Sequence, residues 1–140
     1  MKYLLLILVL SVISFSHAAV VSLPRGGKVT VDTKEWNVQD LNAVTGVSTL
    51  YINHRKETAL QGVILDGTVK EKGQCGENKT MVCDRLVPMV DKISYQIVGQ
   101  RYHGPNTFQN YVIAFNISKN HEQMYLPILK KLKSQLEFAK

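Results

Sequence analysis

A chain of 140 residues with 17 lysines and arginines, 11 acidic residues and 45% hydrophobic residues has room for one domain with its own core and needs no cofactor to hold it together. Its formal charge of +6 supports solubility and weak attraction to anionic surfaces, without naming a partner. Specific nucleic-acid binding is disfavoured, because Lys130, Lys131 and Lys133 lie inside an amphipathic pattern and are not interleaved with exposed aromatics.

The chain opens with Met1-Lys2-Tyr3 and an apolar run over residues 4–15, and Ser16-His17-Ala18 then places small residues where a signal peptidase inspects them. As a helix, about a dozen residues span roughly 18 Å, well short of the roughly 30 Å hydrocarbon core. The expectation is a signal peptide over 1–18 and a single secreted or periplasmic domain over 19–140, with no transmembrane segment after removal of the leader. Loss of Lys2 lowers the formal charge from +6 to +5. The residue directly after the expected cut is Ala19 and not cysteine, so a lipoprotein acceptor is missing.

Residues 24–27 read as a short lead-in. Residues 28–31 and 36–41 follow as strands, separated by the turn formers Asp32-Thr33-Lys34. Residues 47–55 are rich in β-formers, with Leu50, Ile52 and His54 alternating with Tyr51, Asn53 and Arg55. Residues 60–70 are extended, and Asp66-Gly67 within them leaves two readings open, one long strand or a tight hairpin.

Cys75 and Cys83 are the two cysteines of the chain, and in an oxidising compartment an isolated pair is most simply a disulfide. A structural zinc would want four ligands, and no histidine lies nearby, so no metal is expected. Over residues 78–93 the period changes: Val82, Leu86, Val90 and Ile93 recur every three or four residues, which predicts a helix capped by Asn78 and shortened or kinked at Pro88.

Two strands are predicted over 95–102 and 108–117, flanking the turn cluster Gly104-Pro105-Asn106. The chain closes with a second predicted helix. Asn120 and Gln123 suggest a capping box, and Tyr125, Ile128, Leu129, Leu132 and Leu136 form its apolar stripe, with lysines gathered toward its C-terminal end. The pattern of residues 86–93 resembles that of 125–132, which raises a duplicated strand-strand-helix unit as an alternative. On either reading the expected class is α+β: a single domain with an antiparallel sheet, two amphipathic helices packed on it and one short-range disulfide.

The strand Tyr111-Val112-Ile113-Ala114-Phe115, a short polar connection, and a helix with Tyr125-Leu126-Pro127-Ile128-Leu129 and Leu132 ahead of Leu136-Glu137-Phe138 together resemble the last third of PsbP-like and DcrB-like secreted domains. The resemblance implies a small antiparallel-sheet protein with helices on the sheet. It brings no catalytic motif.

Beyond the leader, His54, His103 and His121 are the residues able to titrate near neutral pH. A ribonuclease-like hydrolase would pair two of them, His54 and His103 foremost, as acid and base beside a cationic phosphate clamp. No Gly-x-Ser-x-Gly elbow and no phosphate loop occurs. Gln96-Ile97-Val98-Gly99-Gln100 approaches the Gln-x-Val-x-Gly hairpin of cystatins, with its glycine one residue early. The segment Arg101-Tyr102-His103-Gly104-Pro105-Asn106 offers a cation, an aromatic ring and hydrogen-bonding groups, so Arg101, Tyr102, His103 and Asn106 form a candidate binding loop. Asn78 and Asn116 each begin a glycosylation acceptor pattern, meaningful only in a eukaryotic secretory route, where Asn78 is the better placed. The preferred reading is an exported, non-enzymatic binding or accessory module for a protein or an anionic surface, with neither metal nor organic cofactor. A small secreted hydrolase and a cystatin-like inhibitor are the alternatives.

Overall fold

The turn cluster at Gly104-Pro105-Asn106 builds the longest hairpin in the molecule. Gly104 sits at φ 138° and Asn106 at φ 56°, conformations that glycine and asparagine tolerate and most side chains do not. They join two long antiparallel strands, β7 (Lys92–Gly104) and β8 (Thr107–Ser118), with a bulge at His103. A computed structural model of the protein describes residues 18–23, 27–40, 50–67 and 72–136. The other described strands are β1 (Ala18–Ser22), β2 (Lys28–Asp32), β3 (Trp36–Asp40), β4 (Leu50–His54), β5 (Gln61–Asp66) and β6 (Met81–Pro88), and the described helix is α1 (Glu122–Gln135). Of the expected leader over residues 1–18, residues 1–17 lie outside the described residues, and its last residue, Ala18, belongs to β1.

All pairings are antiparallel: β1 and β2 form a separate hairpin, while the main sheet runs in the order β3-β4-β5-β8-β7-β6. One face of this sheet is the core. Trp36, Ile52, Ile64, Phe115, Ile113, Tyr95 and Ile97 project from it and are almost fully buried. Val29 and Val31 of β2 cover it, together with Tyr125, Leu129 and Leu132 of α1. Gly99 pairs directly with Tyr111, and a Cβ at position 99 would stand 1.9 Å from the Tyr111 ring, so the missing side chain is what lets that ring lie across β7.

The α+β expectation with two helices is overturned, since strand makes up 57% and helix 17% of the described residues, in two sheets with a single helix. The error lies at residues 78–93. Their three-and-four spacing of apolar groups predicted a helix, yet residues 81–88 form edge strand β6, matched over its whole length to β7 from Met81↔Gln100 to Pro88↔Ile93. Alternation was hidden because neither face of β6 is uniformly apolar: Val82, Asp84, Leu86 and Pro88 share the core side, and Asp84 is accommodated there by the Tyr95 hydroxyl (2.7 Å) and Lys133 (3.6 Å). Pro88 would have clashed inside a helix but is tolerated at the end of an edge strand. Without that helix the duplicated strand-strand-helix unit does not exist.

The second helix is present, buried along the expected stripe at Tyr125, Leu129, Leu132 and Leu136. Its start differs from the expected capping box: a 3-10 turn over Lys119–His121 precedes it, and His121 caps it without a side-chain hydrogen bond. Pro127 lies in the second turn on the exposed side, where the carbonyl it leaves unpaired can turn to water. Strand β1 was not anticipated, as no element was expected between the end of the leader at Ala18 and the lead-in at residues 24–27. As for Asp66-Gly67, β5 ends at Asp66 and the Gly67 N–H still donates to the Asn110 carbonyl (2.7 Å) on β8, while residues 68–71 lie outside the described residues.

Candidate functional site

Two ends of the main sheet carry polar constellations. At one end, the β2–β3 turn, the residues after β4 and the middle of α1 enclose a cavity of about 500 Å³ lined by Asp32, Lys34, Glu35, His54, Arg55, Lys56 and Lys131. Turn chemistry fixes its wall: the Lys34 N–H donates to Asp32 Oδ1 (2.9 Å), and Arg55 Nε donates to the Thr33 carbonyl (2.7 Å), so the two turns are tied together.

His54 forms the floor. Its Nδ1 accepts the backbone N–H of Glu57 (2.8 Å), which leaves the proton on Nε2, directed at Glu35 Oε1 (3.3 Å). The ring packs edge-on against Trp36, centroids 4.8 Å apart. Glu35 in turn holds Lys131 through Oε2 (3.3 Å). Both ring nitrogens of His54 are therefore committed to the fold. The lining carries four permanent cations, Lys34, Arg55, Lys56 and Lys131, against the two carboxylates Asp32 and Glu35. No described residue gives the ammonium of Lys34 or of Lys56 an ion-pair partner. Such a site attracts a compact anionic group.

At the other end lie the β7–β8 hairpin tip and the disulfide loop. Cys75 and Cys83 are bonded, with Cα atoms 6.0 Å apart. The loop between them is seated by Gln100, which is fully buried: its Oε1 accepts the Cys75 N–H (3.0 Å) and its Nε2 donates to the Lys79 carbonyl (2.7 Å) and to that of Glu77. Sequence reasoning missed this role. The available signal was a long amide directly after Ile97-Val98-Gly99 in a strand otherwise destined for burial. Thr80 Oγ1 accepts the Tyr102 N–H (3.0 Å), joining loop to hairpin. Of the candidate binding loop, His103 and Asn106 are exposed, Arg101 is half-buried, and Tyr102 is half-buried with its ring tilted on Phe108 at 5.4 Å.

His54 and His103 are not brought together. Three strand spacings separate β4 from β7, and the register sets His103 about ten residues farther along, roughly 35 Å in all. His121 meets the Tyr125 ring at 5.4 Å. The cystatin-like stretch lies in the interior of β7, with Ile97, Val98 and Gln100 fully buried. Asn78 is exposed in the disulfide loop, and Asn116 is exposed on the outer face of β8. Among the described residues no three His, Cys, Asp or Glu side chains gather as a metal site requires, and no helix is long and apolar enough to cross a membrane.

Neither the models of known protein families nor the sequences of characterised proteins yield a match to this chain.

Proposed function

We propose that the mature chain is an exported, non-catalytic binding module that holds an oxyanion group of its partner, a carboxylate, sulfate or phosphate, in the basic cavity between the β2–β3 turn, the end of β4 and α1. The observation that carries this reading is the convergence of Lys34, Arg55, Lys56 and Lys131 around one cavity of about 500 Å³. Binding is favoured over catalysis because the one histidine in the cavity spends both ring nitrogens on Glu57 and Glu35. The hydrolase alternative lacks its acid-base pair at a separation of roughly 35 Å, and the inhibitor alternative would need a buried strand to enter a protease cleft. The likeness of residues 111–138 to PsbP-like and DcrB-like secreted domains, which brings no catalytic motif, points the same way.

Thermal denaturation in phosphate, sulfate and citrate tests it. A ligand that binds only the folded state raises Tm, by about 2.7 kcal/mol of stabilisation at a hundredfold excess over Kd. Replacing both Lys34 and Lys56 by glutamate is expected to abolish that rise while leaving the unliganded stability within about 0.5 kcal/mol of the parent for each substitution, since neither ammonium has an ion-pair partner among the described residues. A rise of equal size in the double variant would refute the site.

A further inference from the structure

At the end of the sheet that carries the basic cavity, the turn between β6 and β7 breaks the usual rule for surfaces. Leu86, Val87, Pro88, Met89 and Val90 are five successive apolar residues and all are exposed, Val90 at 97% and Met89 at 47%. Scattered exposed apolar residues need no explanation, but a contiguous run at the apex of a hairpin does. We propose that this turn is a docking finger that sets Met89 and Val90 into the surface of an anionic phospholipid bilayer.

The finger is built rather than frayed. Pro88 pairs with Ile93, the Met89 N–H donates to the Lys92 carbonyl (2.9 Å), and the Lys119 ammonium donates to the Val90 carbonyl (3.2 Å). The most exposed apolar residue thus has its carbonyl satisfied from within the protein, which entry into an apolar layer demands. Charge is arranged to match: Lys92 and Lys119 flank the apex, with Asp91 the one carboxylate in the turn itself, while farther down β6 Asp84 is engaged by Tyr95 and Lys133 and Arg85 by Gln96 and Gln74.

Strand addition by another chain is the competing use of this edge, and β6 is poorly made for it. Asp84 and Arg85 put charge at its middle and Pro88 removes a backbone donor near its end, both features that discourage edge pairing. Two or three inserted side chains give shallow, reversible attachment that salt weakens.

The test is sedimentation of the mature protein with vesicles of phosphatidylcholine and phosphatidylserine at seven to three, and with phosphatidylcholine alone. The protein is expected to pellet with the anionic vesicles, to stay largely in solution with the neutral ones, and to be released by 0.5 M salt. Val90→Asp, at a position already open to water, should keep the circular dichroism and Tm of the parent and lower the vesicle partition coefficient at least tenfold; Lys92→Glu should lower it severalfold. Failure of the parent to pellet with anionic vesicles, equal binding by Val90→Asp, or a dimer in light scattering that Val90→Asp abolishes would each overturn the finger. The phosphate response of the cavity is read separately, so either proposal can fail alone.

Discussion

Gln100 shows how one residue acquires its meaning only from the fold. In the sequence it marks where a cystatin-like pattern breaks off; in the structure its amide satisfies three backbone groups of the disulfide loop. Gln100→Leu keeps the volume but leaves the Cys75 N–H and the Glu77 and Lys79 carbonyls without their partner. A loss of about 2 to 3 kcal/mol in urea unfolding is expected, with faster proteolysis within residues 75–83. His54 was legible as a strand residue on the apolar side, and it is buried there. That its ring would serve Glu57 and Glu35 was not legible, because those contacts come from the connection after β4 and from the β2–β3 turn, 19 residues earlier in the chain. Two tyrosines carry a pH signature. Burial pushes the Tyr111 phenol well above its ordinary value near 10, and burial together with the hydrogen bond to Asp84 and that carboxylate's charge does the same to Tyr95. A phenol whose folded pKa is raised stabilises the protein fully below the unfolded value, and that stability is lost as pH rises beyond about 10. Chemical denaturation should therefore show stability falling steadily above pH 10, with phenolate absorbance from these two side chains appearing only as the protein unfolds.

At the level of elements, the hairpin of β7 and β8 was readable because its turn residues and its alternation agree, and α1 because its stripe repeats over four turns. Strand β6 was not, because its stability is non-local. Its register is set by eight pairs with β7 and by the Cys83 link to the loop above, while its own sequence mixes Asp84 and Arg85 among apolar residues on both faces. The disulfide supplies part of that register. Replacing Cys75 and Cys83 together by serine is expected to cost about 2 to 3 kcal/mol in equilibrium unfolding. Hydrogen exchange should then accelerate first in β6, the edge partner, before β8 at the centre of the sheet.

At the scale of the molecule, the described residues form a six-stranded antiparallel sheet with one face covered by α1 and the β1–β2 hairpin and with polar side chains gathered at its ends. Antiparallel connections place the turns after β2, β4 and β6 at the same end, which is why residues as far apart in sequence as Lys34, Lys56 and Val90 share one rim. No local pattern announces such a gathering, since it depends on strand order, and strand order rests on the pairing of β5 with β8 across 45 residues of chain at Asp66↔Tyr111. Trp36, the sole tryptophan, lies buried against His54 beneath the basic cavity and so reports directly on it. Titration of the protein with phosphate or sulfate, read as Trp36 fluorescence at constant ionic strength, should give a saturable change that Lys56→Glu weakens at least tenfold. A linear response without saturation, identical in the parent and in Lys56→Glu, would contradict the cavity as an oxyanion site.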